Sequence, residues 1–163
     1  METMNDLCKV TNPLVTQEDI DDHIGIGLVV RRDDGKIVIL QHKKYGFFTI
    51  PVGKASLKEL PIFGAKKEAK EELGIDVVSL LELGTFTKTY DRGNGIVTNI
   101  QTIIFEILDY NGEIINAEPK KHPMMVFRHE SSIIDMYGKD NLSDATLFYL
   151  YLKEILEREC KKI

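Results

Sequence analysis

Three glutamates, Glu68, Glu71 and Glu72, have a spacing that brings side chains onto one face of a helix. Residues three and four positions apart are neighbours on a helix surface, so these carboxylates fall within reach of one another. Negative charges at such short range repel unless a positive charge lies among them. Hard divalent cations such as Mg²⁺ and Mn²⁺ prefer carboxylate oxygens and leave other positions for water or phosphate oxygens. The spacing therefore indicates a divalent metal site of a kind that suits phosphate chemistry.

The same run has a simpler interpretation as a solvent-exposed helix. Lys66, Lys67 and Lys70 alternate with the glutamates, and mixed Glu/Lys helices are common on protein surfaces. The five residues 68–72 taken alone favour this alternative. The residues before and after this run decide between the two interpretations.

The wider spacing resembles a known motif. Gly53 is followed after five residues by Glu59, and after seven more by the run KEAKEELGI that begins at Lys67. This pattern resembles the Nudix box, G-x5-E-x7-R-E-U-x-E-E-x-G-U, where U is an aliphatic residue. Lys67, a candidate catalytic residue, stands where the family has arginine, so the charge is kept but the planar two-pronged donor is lost. On this motif the chain is identified as a member of the Nudix hydrolase family of MutT-like nucleotide pyrophosphohydrolases.

The resemblance implies a fold, a reaction and a set of metal ligands. The fold is an α/β/α sandwich with a mixed β-sheet, and the reaction is hydrolysis of a phosphoanhydride bond in a nucleotide. The implied cofactor is Mg²⁺ or Mn²⁺. Carried over by position, Glu71 and Glu72 are the main metal ligands, and Glu68 is a ligand or orients the attacking water. The carbonyl of Gly53 and the side chain of Glu59 would support this metal shell.

A second patch extends the resemblance. The segment 116–122, NAEPKKH, followed by Phe127, resembles the N-x-E-P-x-K-H segment found in many Nudix proteins. In the family this segment lies beside the site, and its glutamate supplies a further ligand or a base. The resemblance thus makes Glu118 a candidate catalytic residue, and the general base stays open among Glu68, Glu72 and Glu118.

Five residues are candidates for binding the substrate. Lys43 and Lys54 carry positive charge that suits phosphates, and Glu59 lies within the box. Phe48 and Phe127 could stack on a nucleotide base. Aromatic residues at such positions are more often part of a core, which is the alternative for both.

The predicted elements place the glutamates on a helix between two sets of strands. Hydrophobic periodicity and turn residues predict strands over 24–30, 36–41, 47–50, 77–90 and 98–109, and helices over 61–73 and 142–159. Pro61 and Gly74 suit the start and the stop of the first helix, and 51–60 is predicted to be a loop. The apolar residues of this helix fall on one stripe at helical spacing, which predicts its buried face: Ile62, Ala65, Ala69 and Leu73. This order predicts a sheet with helices covering its faces.

Composition limits the class of protein. The chain has 163 residues, a net charge of −5 and a pI of about 5.4, an ordinary globular profile for one domain. The negative charge argues against a broad nucleic-acid or anionic-lipid surface. No apolar run approaches the length of a membrane span, and the N-terminus is too polar for a signal peptide, so we expect a cytoplasmic protein. Cys8 and Cys160 fit no metal or redox spacing, and we expect free thiols.

We expect residues 1–20 to form an N-terminal arm and residues 21–163 a single domain. The expected partner is a small nucleotide, and a homodimer is compatible with the sequence. The compact domain and the Glu118 patch favour nucleoside triphosphates, cleaved to monophosphate and pyrophosphate. The alternatives are diphosphate-linked nucleotides such as ADP-ribose, dinucleotides or capped and 5′-triphosphate RNA, and a non-catalytic nucleotide sensor. The sensor has Lys67 as its one support in the sequence.

Overall fold

The computed structural model of the protein describes residues 9–11, 23–44, 46–91 and 97–161. The strands within these ranges are β1 (Lys9–Thr11), β2 (His23–Val30), β3 (Ile37–Gln41), β4 (Phe48–Thr49), β5 (Val52–Ser56), β6 (Asp76–Asp91), β7 (Val97–Asn111) and β8 (Met124–Arg128). The α-helices are α1 (Pro61–Leu73), α2 (Glu130–Tyr137) and α3 (Asp144–Lys161), with a 3₁₀ turn at Lys139–Asn141.

The strands form two sheets. The larger sheet has the order β1-β6-β7-β2-β5, and the smaller one has the order β4-β3-β8. In the larger sheet β2 runs parallel to β7 and antiparallel to β5, while β6 and β7 pair antiparallel along almost their full length. The larger sheet is therefore mixed, as predicted.

Two apolar cores lie on opposite faces of β2. Ile26 and Leu28 of β2 pack with Ala69 of α1 in one core. Val29 belongs to the other core, together with Phe148 of α3. Successive residues of a strand point to opposite faces, so α1 and α3 cover the two sides of the sheet. The predicted α/β/α sandwich is confirmed.

Helix α1 has the ends that its sequence predicts. Pro61 occupies the first helical position, where its missing N–H would have no partner within the helix. Gly74 follows the last turn with φ 71°, the left-handed conformation that glycine adopts without strain, and its N–H donates to Lys70 O at 3.0 Å. These ends fix the residues that form the helix, and so the face on which its glutamates lie.

The buried face of α1 differs from the prediction at one position. Ala65 and Ala69 are fully buried, but Ile62, expected in the same stripe, is 45% exposed. Gly64 is buried instead, and a methyl group there would overlap the Cβ of Ala55 in β5. The helix approaches β5 closely because small residues face each other across this interface.

Strand β5 corrects the loop predicted over 51–60. Residues 52–56 pair antiparallel with β2, and Gly53 lies opposite Ile26. The sequence VGKAS lacks apolar alternation and is poor in β-formers, so pairing with β2 rather than its own propensity makes it a strand. Strand β8 and helix α2 were also not predicted. The other predicted strands and the C-terminal helix are present, with ends that differ by a few residues.

Part of the predicted N-terminal arm lies within the larger sheet. Residues 9–11 form β1, which pairs parallel with β6, and the rest of 1–20, with Cys8, lies outside the described residues. Cys160 is an exposed free thiol. None of the helices in the described ranges has the length and apolar character needed to cross a membrane.

Candidate active site

The glutamates of α1 differ sharply in their exposure. Glu72 has a side chain that is 1% exposed, and Glu68, one turn earlier, is half-buried. Glu71 is exposed, and its carboxylate lies 3.9 Å from the ammonium of Lys67, whose side chain is 72% exposed. Exposed pairs of this kind contribute little to stability. Glu68 and Glu72 therefore face the protein, while Glu71 and Lys67 lie on the outer side of the helix.

Strand β5 meets Glu68 at Gly53. A methyl group built on Gly53 would overlap the carboxylate of Glu68, so the backbone of β5 and this side chain are in direct contact. Only glycine permits such a close approach, because every other residue places a Cβ there. The glycine that opens the motif thus leaves the space that the carboxylate occupies.

The segment after β7 closes the far end of α1. The N–H groups of Ile115 and Ala117 donate to Leu73 O and Glu72 O, each at 3.0 Å. The last carbonyls of a helix have no partner within the helix, and these two bonds satisfy them. The predicted patch 116–122 is therefore fixed beside the acidic helix by backbone hydrogen bonds.

A turn within this segment brings Lys121 back over the site. The N–H groups of Lys121 and His122 donate to Glu118 O at 3.0 and 2.9 Å, and Asn116 Nδ2 donates to His122 O at 2.7 Å. The ammonium of Lys121 lies 3.4 Å from Glu72 Oε1. The second patch thus supplies a cation as well as the predicted carboxylate.

Burial and mutual repulsion alter the pKa values of the carboxylates. The pKa of Glu68 is raised from 4.5 to about 7, first by burial and then by the charge of Glu71. The pKa of Glu72 is raised from 4.5 to about 8 by burial, an effect that Lys121 opposes and that Glu68 and Glu118 strengthen. Both groups resist ionisation because a desolvated carboxylate near like charges is unfavourable. Additional positive charge at this place would stabilise both carboxylates in the ionised form.

The imidazole of His122 is neutral at the edge of the site. Its side chain is 1% exposed, and its pKa is lowered to about 4 by burial and by the charges of Lys121 and His42. The two imidazole rings meet edge to face, with centroids 6.0 Å apart. His122 therefore adds no positive charge beside Glu72.

The donor set fits a hard divalent cation. Glu72 Oε2 is buried without a hydrogen-bond partner among the described residues, which is costly for a carboxylate unless another group completes its environment. The available donors are carboxylate and carbonyl oxygens, which Mg²⁺ and Mn²⁺ prefer. In the described part of the chain, no group of three or more His, Cys, Asp or Glu side chains is already arranged to hold a metal ion. The carboxylates would therefore have to move together as a cation bound.

One of the two lysines predicted to bind substrate lies beside this cluster. The backbone N–H of Lys43 donates to Lys121 O at 3.1 Å, which places Lys43 beside the second patch with its side chain exposed. Lys54 follows Gly53 in β5 and is also exposed. Glu59 is exposed in the turn before α1, and no hydrogen bond or ion pair joins its side chain to a described residue. Successive residues of a strand point to opposite faces, so Lys54 lies on the face of β5 opposite to Gly53 and Glu68. The structure thus brings Lys43, but neither Lys54 nor Glu59, towards the carboxylates.

The two predicted aromatic residues have protein partners for their rings. Phe48 stacks on Tyr137, with ring centroids 4.0 Å apart and planes inclined by 20°, and packs against the core that α3 covers. The ring of Phe127 is covered by the guanidinium of Arg32, 4.0 Å from its centroid. These positions match the alternative in which both rings contribute to packing.

Sequence reasoning did not identify Lys121 as a site residue. It lies in the basic run Lys120–His122, and such runs are usually solvated. The contact joins residues 49 positions apart, so no local spacing reveals it. The available signal is the second motif, N-x-E-P-x-K-H, in which Lys121 is the specified lysine three residues after Glu118.

Comparison with known proteins supports the motif. The NUDIX domain family model matches residues 21–140. Comparison with curated proteins gives no significant match.

Several solved structures share the fold. A MutT NUDIX hydrolase from Burkholderia pseudomallei is 23% identical with a TM-score of 0.64, over 80% of this chain and 96% of that one. An ADP compounds hydrolase is 15% identical with a TM-score of 0.65, over 86% and 76%. The E. coli dihydroneopterin triphosphate pyrophosphohydrolase is 18% identical with a TM-score of 0.59, over 78% and 94%. Since the family model covers most of its length, the chain belongs to the Nudix hydrolase family.

Proposed function

We propose that the protein is a divalent-cation-dependent pyrophosphohydrolase that cleaves nucleoside triphosphates to nucleoside monophosphate and pyrophosphate. The observation that carries this proposal is the meeting of Glu68, Glu72 and Glu118 beside Gly53, around a buried carboxylate oxygen that lacks a partner. A stable surface helix has no need to bury a carboxylate in this way. The arrangement therefore favours a site for cations over a solvated face.

The residues that would hold the cation are Glu68, Glu71 and Glu72, with the carbonyl of Gly53. Glu71 lies on the outer side of α1, so its participation requires a rotation of its side chain away from Lys67. A bound divalent cation supplies charge neutralisation at the phosphate oxygens and makes the phosphorus atom more open to attack. The other steps fall to the side chains of the protein.

We assign acceptance of the proton of the attacking water to Glu68 or Glu118. Glu72 is less suited because its side chain is 1% exposed and already contacts Lys121. Glu68 is half-buried, and a cation bound nearby would lower its pKa from the metal-free value of about 7, so the carboxylate would be ionised and able to accept the proton. Charge neutralisation and positioning then account for most of the rate.

Lysines beside the carboxylates offset the negative charge that would otherwise repel the phosphates of a nucleotide. Lys43 is exposed beside the second patch, and the Lys121 side chain is 46% exposed. Net charge matters less than this local distribution, because exposed charges more than about 8 Å apart are largely screened at physiological salt. The lysines would bind the phosphate oxygens that the cation leaves free.

The triphosphate preference rests on the compact domain and on the position of Glu118. We propose that residues 21–163 form this single domain, since α1, α3 and both sheets share their two cores. The structural neighbours include both an ADP compounds hydrolase and a triphosphate pyrophosphohydrolase, so their similarity does not favour either substrate class. The substrate class has to be tested by its products.

A product assay separates the substrate classes. We expect inorganic phosphate to appear from nucleoside triphosphates only when inorganic pyrophosphatase is added, because the first product is pyrophosphate. ADP-ribose would instead give two phosphomonoesters, which release phosphate only with alkaline phosphatase. The panel includes canonical and modified triphosphates, ADP-ribose, NADH, dinucleoside polyphosphates and 5′-triphosphate RNA.

Each outcome of this assay has one meaning. A pyrophosphatase-dependent signal from free nucleoside triphosphates supports the triphosphate proposal, whereas the same signal from 5′-triphosphate RNA alone would support the alternative substrate class. Phosphomonoester products from diphosphate-linked nucleotides would replace it with the alternative substrate class. Binding of nucleotides in the presence of Mg²⁺ without turnover of any of them would show a sensor rather than an enzyme.

A further inference from the structure

Glu72 and Lys121 form an ion pair inside the proposed metal site. The carboxylate belongs to a side chain that is 1% exposed, and its Oε1 lies 3.4 Å from the ammonium of Lys121. The other oxygen, Oε2, is buried and has no hydrogen-bond partner among the described residues. Lys121 is therefore the cation next to this carboxylate, and half of the carboxylate stays unsatisfied.

The two side chains of this ion pair differ in burial, and this difference determines which of them can move away from the other. Glu72 is enclosed by the core and by the segment docked on its own backbone carbonyl, whereas the Lys121 side chain is 46% exposed. An ammonium on a flexible four-carbon stem regains hydration readily when it swings out. A divalent cation carries twice the charge of the Lys121 ammonium and prefers carboxylate oxygens as ligands. It therefore binds the Glu72 carboxylate more strongly than the ammonium does.

The backbone around Lys121 is held from both sides. Its N–H donates to Glu118 O at 3.0 Å, and its carbonyl accepts from the N–H of Lys43 at 3.1 Å. The ammonium can therefore leave Glu72 by rotation of the side chain alone, while the backbone keeps its hydrogen bonds. The site needs no loop movement for this exchange.

We propose that Lys121 is the internal counter-ion of the metal-free site and that a divalent cation binds by displacing its ammonium from Glu72. That the competing cation is divalent rests on the proposed function, which requires such a cation at this site. Lys121 is a positioning residue in this account: it holds the buried carboxylate in place until the cation arrives, and it lowers the apparent affinity of the site for that cation.

Mn²⁺ titration followed by electron paramagnetic resonance tests this exchange without any turnover. We compare the wild-type protein with Lys121→Gln, Lys121→Arg and the matched control Lys120→Gln. Lys120 is an exposed neighbour with the same charge, and no ion pair joins it to a described residue. The control therefore reproduces the change in net charge without removing the contact with Glu72.

We expect Lys121→Gln to bind Mn²⁺ about an order of magnitude more tightly than Lys120→Gln, because the competing ammonium is gone. Lys121→Arg should bind no more tightly than wild type, since it keeps the charge. In EDTA at a pH above 8, where Glu72 is ionised, Lys121→Gln should unfold at a lower temperature than the control, and saturating Mn²⁺ should remove that difference. This pattern is specific to a counter-ion that the metal replaces.

Equal Mn²⁺ affinities for Lys121→Gln and Lys120→Gln would overturn the exchange, since only the long-range charge effect would remain. Weaker Mn²⁺ binding by Lys121→Gln would overturn it as well. Both results are compatible with a wild-type protein that hydrolyses nucleotides with Mn²⁺, so the proposed function would stand. A wild-type protein that binds no Mn²⁺ would instead contradict both.

Discussion

Replacing Glu72 by glutamine is expected to lower turnover of the preferred nucleotide by about two orders of magnitude or more. The amide keeps the shape of the side chain but removes the charge from the most deeply buried carboxylate of the site. Steady-state kinetics at saturating Mg²⁺ measures the loss, and circular dichroism checks that the fold is intact. Turnover within a few-fold of wild type would exclude Glu72 from the chemistry.

The same substitution has a pH signature in EDTA. Glu72 has an ordinary pKa of 4.5 when unfolded and about 8 when folded, so between these values the folded protein binds more protons than the unfolded one. Wild-type stability therefore falls as pH rises through this window, whereas the glutamine variant lacks this contribution. We expect the variant to gain in melting temperature relative to wild type between pH 5 and pH 8. A constant difference would contradict the raised pKa.

Gly53→Ala should abolish most of the activity while leaving the fold nearly as stable. The added methyl group would overlap the Glu68 carboxylate, which is the far end of a flexible side chain and can rotate away. The strand tolerates alanine, because Gly53 is not among the glycines with positive φ in the described residues. We expect turnover to fall by about two orders of magnitude, since the carboxylate loses its place. Turnover and melting temperature are measured on the same preparation.

Gly64→Ala is the matched control for this result. Gly64 faces the same strand from α1, but a methyl group there would overlap the Cβ of Ala55 rather than a mobile carboxylate. The whole helix would have to shift, so this variant should lose melting temperature. If Gly53→Ala lost stability to the same degree as Gly64→Ala, its effect on activity would reflect packing and not the position of Glu68.

Local chemistry explains how much of the fold was predictable. Pro61 and Gly74 mark the ends of α1 in the sequence because they act through their own backbone conformations. Strand β5 was missed because VGKAS has no strand pattern of its own and takes its conformation from β2. Ile62 was misplaced for a similar reason, since the contact of Gly64 with Ala55 determines which side of the first turn is buried.

In the site, too, the features set by local spacing were predictable, and those set by contacts between distant residues were not. Helical spacing places Glu68 and Glu72 on neighbouring turns, and the motif points to Glu118. Exposure is not encoded in that spacing, so the outward position of Glu71 was not predictable. The contact between Lys121 and Glu72 forms only once the segment after β7 docks on the end of α1.

The most direct test is turnover of the nucleotide identified by its products, first in protein freed of metal with EDTA and then with Mg²⁺ or Mn²⁺ restored. We predict no detectable hydrolysis in EDTA, because the lysines described at the site would then have to offset the carboxylates and could not also neutralise the phosphates. Hydrolysis should return with either cation in the wild-type protein, and should stay lower by about two orders of magnitude or more in the Glu72→Gln variant. Full turnover in metal-free buffer would contradict the account.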